Sequence, residues 1–146
     1  FEIDVKLASE KELQKNNKKT NRDLNGFRVL LVEDNEINVM VGKQLLEKTK
    51  LIVDVAHDGQ EAVDKVRENS YDVVLMDIQM PIMDGFTAAR EIRKFNPELP
   101  ILALSASVFM EVKDKIHRSG MNGFIFKPFE PDDLLDQVEN AVKKGK

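Results

Sequence analysis

The sequence has 146 residues, the length of one domain, which leaves little room for a two-domain enzyme. Hydrophobic residues make up 42% and charged residues 33%, a balance that excludes a disordered tail and predicts a buried core. The net charge of −4, with no long Lys/Arg block, argues against a nucleic-acid surface; the lack of Cys removes disulfides, thiolate nucleophiles and Cys-based metal centres, and fits a reducing compartment.

In chain order, the first 26 residues carry six basic and five acidic side chains, and nearly all apolar periodicity lies after them. Phe1, Ile3, Val5 and Leu7 alternate with Glu2, Asp4 and Lys6, the pattern of a half-buried strand, but the sequence offers it no partner. Residues 8–25 are rich in Lys, Glu, Asn and Gln, with Ser9 and Glu12 forming a weak capping box. Residues 1–26 therefore read as a leader or linker, and 27–146 as one domain. The chain begins with Phe1 rather than Met, as expected of a piece cut from a longer chain. No apolar run approaches the roughly 18 residues of a membrane span and no signal peptide is visible, so a cytoplasmic domain without direct membrane contact is expected, even if its parent chain is membrane-anchored.

From Phe27 onward, strand-like runs at 27–32, 51–56, 72–76, 101–105 and 123–126 alternate with helical patterns. Ile37, Met40, Val41 and Leu45 recur at helical spacing, as do Ala62, Val63 and Val66, then Phe86, Ala89 and Ile92, then Val112 and Ile116. The last helix carries Leu134, Leu135, Val138, Ala141 and Val142, with Pro131 suited to its first turn. Right-handed strand–helix–strand crossovers favour a parallel sheet, so the expected fold is α/β: five parallel strands with helices on both faces.

In such a sheet ligands bind outside the carboxyl ends of the strands. Glu33 and Asp34 follow the first strand, Asp77 closes the third, Ser105 ends the fourth and Lys127 ends the fifth. Each alone has an ordinary explanation, such as a helix start, a turn or a solvated amine. Together they place three carboxylates at one edge, where like charges repel and need a cation. With no Cys and no His in the group, a hard, oxygen-seeking ion such as Mg²⁺ fits best, and an ion that keeps open positions suits a phosphoryl group. Lys127 would add a second positive charge on phosphoryl oxygens and Ser105 a hydrogen-bond donor.

Four segments carry a family resemblance: Val29-Leu-Leu-Val-Glu-Asp-Asn-Glu36, Asp77-Ile-Gln-Met-Pro-Ile-Met-Asp-Gly85, Leu104-Ser-Ala106 and Gly123-Phe-Ile-Phe-Lys-Pro-Phe129. In this order and spacing, from about Phe27 to Lys144, they resemble a response-regulator receiver domain. The resemblance implies a doubly wound, flavodoxin-like sheet of strand order 2-1-3-4-5. It implies that Asp77 is the phosphoacceptor, taking a phosphoryl group from a partner phosphohistidine. Asp34 and Asp77 would ligate Mg²⁺ directly, Glu33 through water, and Gln79 through its backbone carbonyl. Lys127 would pair with phosphoryl oxygens, its bond to Pro128 often being cis in the family. Ser105 and Phe124 would form the switch, the hydroxyl moving onto the phosphoryl group while the ring rotates inward; Phe stands where many members carry Tyr, so its readout would be steric. The positions of Gln79 and Ser107 tune phosphate lifetime in the family. The leader is similar to the junction in hybrid sensor histidine kinases, so Phe1–Leu7 would be a remnant of the preceding ATP-binding domain and the chain its C-terminal receiver. Expected partners are a histidine kinase domain, in the same parent chain, and a histidine phosphotransfer protein, recognised through helix 36–48 and the loops around the site. The domain would be a relay, promoting its own phosphorylation and dephosphorylation, rather than an enzyme acting on an external substrate. It would be a monomer or a weak dimer through the 108–118 helix.

Other readings fit less well. A flavin phosphate would be repelled by Glu33 and Asp34. A dehalogenase-type phosphatase needs a second Asp where Gln79 stands, and a phosphorylation-independent module would have lost site residues, none of which is missing. His57 and His117 read as solvated, and Met76, Met80 and Met83 as packing rather than copper ligands. Pro81 and Gly85 read as loop-shaping residues.

Overall fold

A computed structural model describes residues 23–80, 82–106 and 110–144. The leader strand expected at Phe1–Leu7, the linker as far as residue 22, Pro81 and Ser107 lie outside these residues. Five strand–helix units follow one another: β1 (Arg28–Val32), α1 (Glu36–Glu47), β2 (Ile52–Ala56), α2 (Gly59–Glu68), β3 (Val73–Asp77), α3 (Gly85–Phe95), β4 (Ile101–Ser105), α4 (Met110–Arg118), β5 (Gly123–Phe126) and α5 (Pro131–Lys144). The sheet is parallel throughout, in the order β2-β1-β3-β4-β5, as the sequence leads one to expect.

The three central strands are buried on both faces, which is why they read as unbroken apolar runs. Alternate side chains then feed two separate cores. Val29, Leu31, Val73, Leu75, Leu102 and Leu104 point into one, closed by Leu46 of α1 and by Leu134, Leu135 and Val138 of α5. Leu30, Val32, Val74, Met76, Ile101 and Ala103 point into the other, closed by Ala62, Val63 and Val66 of α2, by Phe86, Ala89 and Ile92 of α3 and by Ile116 of α4. Leu24 is also fully buried in the first core, and its N–H donates to the Thr49 carbonyl at 2.7 Å.

Short polar residues start the helices that lead away from the strand ends. Asn35 caps α1, its side-chain oxygen accepting from the N–H groups of Ile37 (2.9 Å) and Asn38 (3.1 Å). Asp58 caps α2 through the Glu61 N–H, and Asp84 caps α3 through the Thr87 N–H, each at 2.8 Å. The cap of α1 is thus Asn35 rather than Asp34, whose carboxylate is left for the strand edge.

Candidate functional site

Because every strand runs the same way, β1, β3, β4 and β5 deliver their last residues to one edge, where they surround a cleft of about 560 Å³. Its wall includes Glu33, Asp34, Asp77, Gln79, Ser105 and Lys127, all six singled out from the sequence. Asp77 is the final residue of β3 and is only 4% exposed. Ser105, 2% exposed, ends β4. Glu33, at 1%, follows β1 directly, and its N–H extends the ladder to the Ala56 carbonyl at 3.0 Å. Lys127 follows β5, its N–H donating to the Ser105 carbonyl at 3.0 Å. Each side chain is therefore placed by sheet hydrogen bonding rather than by a free loop.

Lys127 links the carboxylates. Its Nζ lies 3.0 Å from Glu33 Oε1 and 3.2 Å from Asp77 Oδ2, a contact between residues 94 positions apart in the first case. The remaining carboxylate oxygens take backbone donors: Glu33 Oε2 accepts from the Asn35 N–H and Asp77 Oδ1 from the Gln79 N–H, both at 3.2 Å. Burial, reinforced by the neighbouring Asp77 carboxylate and only partly relieved by Lys127, pushes the Glu33 carboxyl above the usual glutamate range. Burial pulls the Lys127 ammonium down, but its hydrogen bond to Glu33 and the charges of Asp77 and Glu33 outweigh that and raise it. The Lys127–Pro128 peptide is cis.

Glu33, Asp34 and Asp77 each offer a carboxylate oxygen within 4.8 Å of the others. Three carboxylates against one ammonium leave two formal negative charges in the cleft when all are ionised. An all-oxygen donor set with that residual charge matches a hard divalent cation, and the exposed Asp34 leaves the solvent side open for water ligands.

Phe124 is not part of the cleft wall. Its half-buried ring packs against the second core, edge-on to Phe126 with centroids 5.3 Å apart, and the Lys113 ammonium of α4 lies 5.1 Å from its centre. His57 is exposed beside Glu61 and His117 is exposed on α4, both outside the cleft, and Met76 is fully buried in the core. Asn38 does line the cleft and was not distinguished by sequence; its position four residues after Asp34, one helical turn on, was the available signal.

A family model for the response regulator receiver domain matches residues 29–139, and the chain belongs to that family. It is a receiver domain of the two-component phosphorelay type, with relatives in hybrid histidine kinases. Over 124 residues, 76% of the chain, it is 43% identical to hybrid signal transduction histidine kinase B of Dictyostelium discoideum. The chain spans 6% of that kinase and no more than 18% of the other leading curated relatives. Among solved structures it resembles the receiver domain of sensor histidine kinase PA1611 from Pseudomonas aeruginosa PAO1, which has magnesium coordinated in its active-site cleft (TM-score 0.76, 33% identity, covering 81% of this chain and 98% of that one). It also resembles a chain in the complex of the Saccharomyces cerevisiae histidine phosphotransfer protein Ypd1 with the receiver domain of Ssk1 (TM-score 0.71, 32% identity, covering 81% and 87%).

Proposed function

We propose that Asp77 accepts a phosphoryl group from a phosphohistidine, in a reaction that depends on Mg²⁺ held by Asp34 and Asp77 directly, by Glu33 through water and by the Gln79 backbone carbonyl. The observation that carries this reading is the shared contact of Lys127 with Glu33 and Asp77 inside a three-carboxylate cleft. The magnesium in the PA1611 receiver cleft supports the choice of ion. When bound, Mg²⁺ would neutralise the carboxylates and draw charge from the phosphoryl oxygens. An Asp77 carboxylate oxygen attacks phosphorus; the new O–P bond forms as the N–P bond to imidazole breaks, and the leaving nitrogen takes up a proton. Lys127, already beside Asp77, pairs with a phosphoryl oxygen once the group arrives. The Ser105 hydroxyl then turns onto another phosphoryl oxygen and Phe124 moves inward, a shift carried along neighbouring strands because Ser105 pairs with Phe126 and Ala103 with Phe124 in the β4–β5 register. The domain acts as a relay that promotes its own phosphorylation and dephosphorylation.

The donor and acceptor histidines would come from a kinase domain of the same parent chain and from a histidine phosphotransfer protein. The hybrid-kinase relative and the Ypd1 complex support these two partners. On α1, next to the cleft, Ile37, Met40 and Val41 are 71%, 61% and 42% exposed, an apolar face suited to such a docking helix. The experiment is transfer of labelled phosphate from a phosphorylated histidine phosphotransfer protein, with wild type compared with Asp77→Asn. Label should appear on the wild type only when Mg²⁺ is present; label on Asp77→Asn would place the acceptor elsewhere.

A further inference from the structure

Asn38 occupies the third helical position of α1, after the cap at Asn35. At that position a Glu or Gln side chain ordinarily reaches back to the N–H of the cap residue. Here the Asn35 N–H is already taken by Glu33 Oε2 at 3.2 Å. The Asn38 side chain therefore has no capping duty, while the Asn38 backbone N–H donates to the Asn35 side-chain oxygen at 3.1 Å. Its side chain is half-buried, it lines the cleft, and among the described residues its carboxamide has no hydrogen-bond partner. A half-buried carboxamide with no protein partner is left to bond water in the cleft. A carboxylate at this position would add a fourth negative charge beside Glu33, Asp34 and Asp77, whereas an amide offers an acceptor and two donors with no charge.

We propose that Asn38 is a positioning residue of the cation site, its carboxamide holding a water in the hydration shell of the divalent ion bound by Glu33, Asp34 and Asp77. This rests on the Mg²⁺ reading above. A magnesium ion with few protein ligands keeps several waters, and losing a protein group that orients what is bound to a metal typically costs about 10- to 100-fold in affinity or activity. Among the described residues the Asn38 side chain makes no hydrogen bond to Asp77, and its role runs through the ion.

The test is a Mg²⁺ titration of the protein followed by amide NMR, paired with acetyl phosphate labelling over a range of Mg²⁺ concentrations. Asn38→Ala should weaken Mg²⁺ binding about tenfold, move the half-saturating Mg²⁺ for labelling by the same factor and leave the plateau rate unchanged. Asn38→Asp, which keeps an acceptor for a metal-bound water, should bind at least as tightly as wild type. In Asn38→Ala, an unchanged Mg²⁺ affinity would overturn the inference, as would a plateau rate that excess Mg²⁺ does not restore or a metal-free spectrum altered along α1. If wild type itself shows no Mg²⁺-dependent shifts at Glu33, Asp34 and Asp77, the Mg²⁺ reading fails and takes this inference with it. Binding by wild type with an indifferent Asn38→Ala sinks this inference alone.

Discussion

Lys127 serves two carboxylates at once, 3.0 Å from Glu33 and 3.2 Å from Asp77, and so both balances the buried Glu33 and stands beside the proposed acceptor. Replacing it separates these duties. Lys127→Ala should leave the circular dichroism spectrum unchanged yet lower acetyl phosphate labelling of Asp77 by about a hundredfold, since a positioned donor on developing charge is lost. Glu33 gives the cleft a pH dependence. Its carboxyl is raised, so in the metal-free fold its stabilising contribution is present below the unfolded value and lost as pH rises through the folded one. A cation needs the opposite, ionised form. Mg²⁺ affinity should therefore fall on acidification before the ordinary glutamate range is reached, and Glu33→Gln should lose that component; titrations across pH decide it. Lys127 is also raised, so its contribution, present below the unfolded lysine value, is lost only as pH climbs past the higher folded one.

Elements place these residues through strand ends and tight corners. The loop from β3 to α3 closes back on the strand end, the Gly85 N–H donating to the Ile78 carbonyl at 3.3 Å, and Gly85 sits where any Cβ would collide with the Asp77 carbonyl oxygen and crowd Ile78 Cα. Gly85→Ala should cost about 1–3 kcal/mol in urea unfolding and reduce Asp77 labelling, because the collision is with backbone that cannot swing aside. The motif that contains Gly85 was legible in the sequence; this contact, made only in the folded corner, was not. The strands β1, β3 and β4 were readable because burial on both faces makes them continuous apolar runs, and the edge of the sheet on which their polar ends gather followed from parallel topology. Pairings across long stretches of chain were beyond periodicity. Arg93 on α3, for instance, donates to the Gly120 carbonyl at 2.8 Å and to the Asn122 side chain at 2.9 Å, fixing the approach to β5, yet in sequence it is one polar residue among several. Asn38 and Leu24 escaped for the same reason: one gains meaning from the cleft, the other from its bond to Thr49.

At the scale of the fold, two cores hold the sheet, and its carboxylate-lined edge borders the exposed apolar face of α1. Acceptance of phosphate and recognition of a protein donor should then be separable. Met40→Glu, 61% exposed and outside the cleft wall, should slow transfer from a phosphorylated histidine phosphotransfer protein by about 5- to 30-fold. Labelling by acetyl phosphate, which needs no docking, should be unchanged. Equal loss with both donors would mean that α1 supports the site rather than the partner. A cation-dependent acceptor at Asp77 can be read from the intact mass of wild type and Asp77→Asn after incubation with acetyl phosphate, with and without Mg²⁺. Wild type with Mg²⁺ should gain the mass of one phosphoryl group, and the other three samples none. The same added mass on Asp77→Asn, or on wild type stripped of divalent cations, would contradict it.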